Sequence, residues 1–231
     1  FLVEELMKID DLLADCQYLY HMAEDGSWPN IESRGLLSTS TLLTLYKYTG
    51  DERKRYESEH RPCRMSISCE GMEDAWLRDQ IPMPPGELKK CLQGGIGPRE
   101  WYEFINKRIF FWTNSKSLEM FLAAKEYKNR PQTVIKIDTK LLLEKYLDLV
   151  TLSSINSGST YYDPRKLTKP RSRSLTTFQK IEDYNAPWIT ELVVENGILD
   201  IVDLTVSVER RIAHRINYEK PKFEILGHIY P

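Results

Sequence analysis

The sequence predicts a single α+β domain that spans residues 1–231. Apolar residues at helical spacing alternate along the chain with short runs typical of strands, which favours a mixed class. Hydrophobic residues make up 41 % of the chain, enough to fill a sizeable core at this length. No internal repeat, heptad pattern or linker divides the sequence, so one domain is the simplest organisation.

The first third of the chain is predicted to contain a helix, a strand and two further helices. Residues 1–16 carry leucine and isoleucine on one helical face, and residues 18–22 form a short apolar strand. Pro29 suits the first turn of the next helix, and Gly35 suits its end. The hydroxyls of residues 38–40 can cap a third helix.

The remainder alternates strands with helices until its composition changes. Residues 153–187 are rich in Ser, Thr, Pro and basic residues and lack apolar periodicity, which predicts a long loop for substrate recognition. The other predicted helices are 51–61, 86–93, 98–106, 117–128 and 139–146, and the other predicted strands are 65–69, 109–112, 133–137, 188–194, 198–208 and 223–229.

Charge and cysteine content limit the partners and the compartment. With 32 basic and 34 acidic residues the net charge is -2, so nucleic acid or a membrane surface would need a local patch. The four cysteines lack framework spacing, which predicts free thiols and a reducing cytoplasm. We find neither a long apolar span nor the charge pattern of a signal peptide.

Several site signatures are missing from the sequence. The four histidines lie far apart with no Cys/His pairing at ligand spacing, so we expect no metal site. Glycine-rich phosphate loops and the G-x-S-x-G elbow of serine hydrolases are also missing. A nucleotide would therefore bind without a Rossmann or P-loop cradle.

Two short patterns remain as candidates for chemistry. His21 stands at the end of the first strand, ahead of a helix and a glycine turn, although histidines at strand ends are often structural. Glu191 shares a strand face with Ile189 and Val193. An unpaired carboxylate is costly to bury among apolar neighbours, so Glu191 either has a partner, opens into a cleft or is solvated. The run 110–112 suits core packing, stacking or both.

These segments resemble DarT-type DNA ADP-ribosyltransferase toxins. His21 with residues 35–38 is similar to the N-terminal NAD-binding segment of those toxins. Residues 110–112 are similar to one of their aromatic strands, and Glu191 is similar to their catalytic glutamate. After His21 the chain departs from the toxin pattern, with Met22 and Ala23 where a threonine is usual. The whole chain also resembles an uncharacterised bacterial family that shares residues 20–21, 78–83, 110–112, 155–158 and 191–192.

The resemblance implies an ADP-ribosyltransferase-like fold, with mixed or antiparallel central sheets flanked by helices. It implies NAD as co-substrate, no metal, and Glu191, Arg61 and His21 as catalytic residues. Arg64 and Arg78 compete with Arg61 for the role of the essential arginine. The expected NAD-binding residues are His21, Met22, Gly35, Leu37, Ser38, Arg61, Phe111 and Trp112.

The chemistry of NAD cleavage explains the need for these side chains. Loss of nicotinamide leaves an oxocarbenium-like ribose, which a carboxylate such as Glu191 can stabilise. His21 can hold a ribose hydroxyl, and Phe111 or Trp112 can stack on nicotinamide. An arginine can bind the pyrophosphate through paired hydrogen bonds.

The predicted loop would carry the acceptor. Residues 165–173 contain five basic side chains and no acid, and with the adjacent tyrosines they suit single-stranded DNA or RNA, although a solvated loop has the same composition. The expected acceptor-binding residues are Asn156, Ser157, Tyr161, Tyr162, Arg165, Lys166 and Arg171.

The resemblance implies a cytoplasmic mono-ADP-ribosyltransferase that modifies a nucleobase, a toxin or phage-defence effector opposed by an ADP-ribose-removing antitoxin. A protein or small-molecule acceptor stays open. So do three other readings: an NAD glycohydrolase, a nucleotide-binding module without turnover, and a structural interaction domain.

Overall fold

The computed structural model describes residues 7–161, 171–215 and 220–231. Short 3-10 turns occupy Leu147–Leu149 and Ile181–Asp183. The helices are α1 (Ile9–Asp15), α2 (Trp28–Arg34), α3 (Thr39–Leu45), α4 (Gly50–Glu57), α5 (Pro85–Cys91), α6 (Pro98–Asn106), α7 (Ser115–Leu122), α8 (Thr139–Tyr146) and α9 (Ile201–Leu204). The strands are β1 (Tyr18–Glu24), β2 (Leu36–Leu37), β3 (Met65–Ile67), β4 (Ala75–Leu77), β5 (Arg108–Trp112), β6 (Gln132–Asp138), β7 (Val150–Ser153), β8 (Glu191–Glu195), β9 (Gly197–Ile198), β10 (Thr205–His214) and β11 (Lys222–Tyr230).

A seven-stranded antiparallel sheet runs in the order β11-β10-β6-β1-β5-β8-β7. β1 pairs with β6 along its whole length, and β5 pairs with β8 along its whole length. Between β1 and β5, by contrast, the described residues form one registered pair, Tyr20 with Trp112. The backbone ladder between β1 and β5 is therefore much shorter than those between β1 and β6 and between β5 and β8.

Apolar residues pack on both faces of this sheet. One face buries the main core, which includes Phe111, Leu192 and Val194. The other face carries two smaller cores, one around Trp101 and Val193 and one around α7. Alternation along β5 and β8 therefore sends neighbouring residues to opposite layers.

Capping residues determine where several helices begin and end. α8 coincides with the predicted helix, and the Asp138 side chain accepts a bond from the Leu141 amide at 3.0 Å. α7 begins after Asn114, whose side chain caps Ser117 at 2.8 Å. It ends at Leu122, so the predicted helix to residue 128 was too long. α4 likewise ends before Arg61.

The prediction of one strand over residues 198–208 was wrong. β9 ends at Ile198, α9 follows, and β10 starts at Thr205. The physical reason is that Ile201 and Leu204 are both buried in the main core, and their spacing of three matches a helical turn. The run is apolar because it is buried. Periodicity alone does not distinguish a short buried helix from a buried strand.

The segment predicted as a long loop is anchored where it is described. β7 ends at Ser153, and the backbone groups of Leu152 and Gln179 exchange two hydrogen bonds of 2.7 and 3.0 Å. The chain enters β8 at Glu191, later than predicted. Within the described residues no helix is long and apolar enough to cross a membrane. These elements form one compact α+β domain.

Candidate functional site

A cavity of about 760 Å³ opens where β1 and β5 diverge. Its walls come from β1, β5, the α2–α3 region, residues 73–83 and residues 156–161. The volume falls within the roughly 300–1,000 Å³ typical of small-molecule sites. Of the residues predicted to bind NAD, Met22 and Trp112 line it from the strands, and Gly35, Leu37 and Ser38 line it from the turn before α3.

His21 bridges the opening between the two strands. Its Nδ1 lies 3.0 Å from the carbonyl oxygen of Phe110 on β5. Burial lowers the pKa of His21 to about 4, although the bond to Phe110 opposes this, and nearby Arg78 lowers it further. The imidazole is therefore neutral near pH 7, with Nδ1 as the donor, which leaves Nε2 as a hydrogen-bond acceptor.

Glu191 is buried, 3 % exposed, and lines the same cavity. The Ser157 amide lies 3.1 and 3.2 Å from the two carboxylate oxygens, and the Ser157 hydroxyl donates to Oε2 at 2.7 Å. Burial raises the pKa of Glu191 to about 7, while the Ser157 bonds and the charge of Arg173 lower it. Glu191 thus has a partner and also borders a cleft, and it is not a solvated surface charge.

His21 and Glu191 face one cavity from neighbouring parts of the sheet. Tyr20 pairs with Trp112, and Trp112 pairs with Glu191, so the three residues form a row across β1, β5 and β8. His21 follows the β1 end of this row, and both His21 and Glu191 line the cavity.

Arg61 is held by the protein itself. It is 5 % exposed and follows α4 in a loop. Its Nε donates to the carbonyl of Arg78 at 3.0 Å, its Nη2 donates to Asn106 Oδ1 at 2.9 Å, and its Nη1 donates to the carbonyl of Tyr56. Burial lowers its pKa to about 10, and Asp79 opposes this. Although Arg61 lines the cavity, its guanidinium is committed to Arg78, Asn106 and Tyr56.

Arg78 is the more available cavity arginine. Its side chain is 22 % exposed, and its Nη1 donates to the Met22 carbonyl at 3.1 Å and to Gln132 Oε1 at 3.2 Å. Its Nη2 is buried and has no hydrogen-bond partner among the described residues, its guanidinium lies 4.8 Å from the ring centre of Tyr127, and its Nη1 lies 4.0 Å from Glu24. Arg64 instead pairs with Glu24 at 2.8 Å and lies outside the cavity lining.

The aromatic strand divides its side chains between two layers. Phe111 is fully buried in the main core and does not line the cavity, so its expected stacking on nicotinamide was wrong. Strand alternation is the reason, since Phe110 and Trp112 point to the opposite face and border the cavity. Trp112 also packs against Phe121, with ring centres 5.4 Å apart.

The expected acceptor-binding residues separate into three groups. Asn156, Ser157 and Tyr161 line the cavity, and Tyr161 is 58 % exposed. Arg171 lies outside the lining, where its Nη1 donates to the Ser154 carbonyl at 2.8 Å and its guanidinium lies over Trp188. Tyr162, Arg165 and Lys166 fall outside the described residues.

Arg173 belongs to the basic run 165–173, for which nucleic-acid binding or a solvated loop was expected, but the structure buries it. It is 2 % exposed, and its guanidinium donates to the backbone carbonyls of residues 156, 157, 159 and 171. No sequence signal indicates that Arg173 is buried, because a Ser-rich loop has the same local composition whether its arginine is buried or solvated. The cavity residues Asp79 and Gln80 were likewise not singled out individually, although the segment that contains them was.

Metal ligands do not gather in the described part of the molecule. Residues 7–161, 171–215 and 220–231 hold no group of three or more His, Cys, Asp or Glu side chains placed to bind an ion. All four cysteines are free thiols, with Cys16 and Cys91 buried.

Comparison with known proteins identifies the family without an activity. Neither the curated proteins nor the solved structures contain a match to this chain. A family model, described as a family of unknown function (DUF7002), matches residues 17–211. The chain therefore belongs to the DUF7002 family.

Proposed function

We propose that this protein is an NAD-dependent mono-ADP-ribosyltransferase with an ADP-ribosyltransferase-like fold. The observation that carries the proposal is the convergence of His21 and Glu191 on one cavity beside a splayed sheet. The resemblance to DarT-type toxins predicts these two residues at an NAD site. The neutral acceptor nitrogen of His21 suits a ribose hydroxyl, and the carboxylate of Glu191 suits a positive charge developing on ribose.

In this mechanism the chain binds NAD with its nicotinamide riboside between His21 and Glu191. Trp112, which pairs with Glu191 and lines the same cavity, offers an aromatic wall for nicotinamide. Arg78 rather than Arg61 binds the pyrophosphate, because the Arg78 side chain is partly exposed and lines the cavity, whereas Arg61 is buried and hydrogen-bonded to the protein. As the glycosidic bond breaks, nicotinamide leaves with the bonding electrons, and the Glu191 carboxylate stabilises the cationic ribose until the acceptor attacks its anomeric carbon.

The proposed acceptor is a nucleobase in DNA or RNA. Two exposed aromatic side chains occur near Glu191. Tyr161 lines the same cavity and is 58 % exposed, and Trp188, three residues before Glu191 in the chain, is 53 % exposed. The Arg171 guanidinium lies 5.6 Å from the ring centre of Trp188. Aromatic faces beside an arginine favour stacked bases and their phosphates. In the cell, we propose a cytoplasmic toxin or phage-defence effector, opposed by an antitoxin that removes ADP-ribose.

A transfer assay tests the proposal. Purified protein is incubated with labelled NAD and, separately, single-stranded DNA, RNA or cell protein, beside Glu191→Gln and the matched surface control Glu182→Gln. We expect label on nucleic acid with the wild type and the control, and none with Glu191→Gln. Label on protein would reassign the acceptor, nicotinamide without label would indicate a glycohydrolase, and NAD binding without either product would indicate a binding module.

A further inference from the structure

The loop of residues 156–159 contacts two buried ionisable groups on opposite sides. On one side, the amide and hydroxyl of Ser157 donate to Glu191. On the other side, backbone carbonyls accept from Arg173: Ser157 O at 3.2 Å from Nε, Asn156 O at 3.1 Å from Nη2, and Ser159 O, also from Nη2. The loop therefore directs its donors to the carboxylate and its acceptors to the guanidinium.

Arg173 has a fixed main-chain position from which to do this. Its amide donates to the Cys91 carbonyl at 2.8 Å, and its carbonyl accepts from the Gln93 amide at 2.8 Å. Both contacts lie at the C-terminal end of α5, which packs into the core around Trp101. The far end of the loop is tied separately, since the amide and hydroxyl of Thr160 both donate to the Pro82 carbonyl.

The surroundings of Glu191 leave its orientation to this loop. Its registered strand neighbours are uncharged, Trp112 on β5 and Ser153 on β7. The hydrogen bonds recorded for its carboxylate come from Ser157. The positive charge of Arg173 also lowers the pKa of Glu191. We call the contacts of the Arg173 guanidinium with the carbonyl groups of residues 156, 157 and 159 the clamp. Without the clamp, Ser157 could rotate away and leave a buried carboxylate without donors.

We infer that Arg173 is a positioning residue for Glu191, acting through the 156–159 loop whose carbonyl groups it holds. The expected effect on catalysis rests on the proposed function. The contacts between Arg173 and the loop do not depend on NAD. A misplacement of the carboxylate by about 1 Å is expected to lower turnover on the order of 100-fold. Affinity for NAD should change little, because Arg173 does not line the cavity.

The experiment compares full-length wild type with Ser157→Ala, Arg173→Gln, Arg173→Lys and the Ser157→Ala/Arg173→Gln double variant. Arg53→Gln is the matched control, because Arg53 also makes several hydrogen bonds, to Glu57, Thr44 and Ser40, but lies outside the cavity lining. Nicotinamide release gives kcat, and NAD titration gives Kd. Carbon NMR of the Glu191 carboxyl, assigned with Glu191→Gln, follows its titration in the protein without NAD.

We expect Ser157→Ala and Arg173→Gln to lower kcat on the order of 100-fold and to move the Glu191 titration to higher pH, with Kd little changed. For Arg173→Lys, kcat and the Glu191 titration midpoint should lie between those of wild type and Arg173→Gln, since lysine keeps the positive charge but lacks the several N–H donors of the guanidinium. The double variant should shift by less than the sum of the single shifts.

Wild-type kcat and an unmoved Glu191 titration in folded Arg173→Gln would overturn the inference. If that variant does not fold, the same readings in Arg173→Lys and Ser157→Ala decide. If the wild type releases no nicotinamide, the proposed function fails, and the carboxyl titrations then test the clamp: a double-variant shift smaller than the sum of the single shifts supports it, and additive shifts overturn it.

Discussion

The imidazole of His21 on β1 donates through Nδ1 to the Phe110 carbonyl on β5, across 3.0 Å, at the point where these strands stop pairing. A side-chain bond thus continues the sheet where the backbone ladder ends. The bond fixes the tautomer and directs Nε2 away from Phe110. Because the pKa of His21 is about 4, this tautomer persists throughout the neutral range.

Turnover should rise with pH through about 7. The carboxylate form of Glu191 is the active one, and burial raises its pKa to about 7. His21 stays neutral over this range, so it does not contribute to the acidic limb. The pH profile of kcat/KM for nicotinamide release, which reports groups of the free enzyme, checks this, and His21→Asn should lower kcat/KM without moving the midpoint. A midpoint that moves with His21→Asn would contradict the assignment to Glu191.

Glu191→Gln should stabilise the fold above neutral pH. The pKa of Glu191 is raised from 4.5 to about 7, so its contribution to stability is complete below pH 4.5 and is lost as pH rises through 7. The loss is roughly 3 kcal/mol at about pH 8. Thermal unfolding should therefore show a higher Tm for Glu191→Gln than for wild type at about pH 8, and a smaller gap at about pH 5. Glu182→Gln, with its side chain 69 % exposed, serves as the control. An equal gap at both pH values would exclude a raised pKa.

Arg61 and Arg78 should differ in what their loss affects. Arg61→Gln leaves buried carbonyls without donors, so we expect a loss of about 3 kcal/mol or more in the free energy of unfolding. Arg78→Gln should mainly weaken NAD binding, by about tenfold or more, since a charge-assisted hydrogen bond contributes about 1.5–3 kcal/mol. Denaturant unfolding and NAD titration separate the two effects. Arg99→Gln, at a side chain of α6 that is 62 % exposed, should change neither, and weaker NAD binding from Arg61→Gln alone would reverse the assignment.

Gly35→Ala should destabilise the turn that borders the cavity. Gly35 has a φ of +90°, and an added Cβ would lie 2.6 Å from the Ile198 carbonyl oxygen and 2.7 Å from Leu199 Cα. Strain and overlap together should cost about 2–4 kcal/mol. Gly86→Ala in α5 has open space around it and should be neutral or stabilising by up to about 1 kcal/mol. Equal unfolding midpoints for the two variants would contradict this geometry.

Local patterns were sufficient to predict most elements but not the connections between them. The leucine-rich run of residues 139–146 predicted α8, because the packed face of a helix is a local pattern. The fate of Arg173 was beyond prediction, since its burial depends on carbonyl groups 14 to 17 residues away in the chain. The sequence also did not show that Phe110 and Trp112 would line the cavity while Phe111 packs in the main core. This depends on which face of the sheet borders the cavity, which is set by the divergence of β1 from β5.

Nicotinamide release from NAD by wild type and Glu191→Gln tests the central claim most directly. We predict steady release by the wild type and by Glu182→Gln, and loss of release in Glu191→Gln while its thermal stabilisation by saturating NAD is retained. That result would establish Glu191 as the group that acts on the glycosidic bond. Release by Glu191→Gln at the wild-type rate, or no release and no stabilisation by NAD in any variant, would contradict the account.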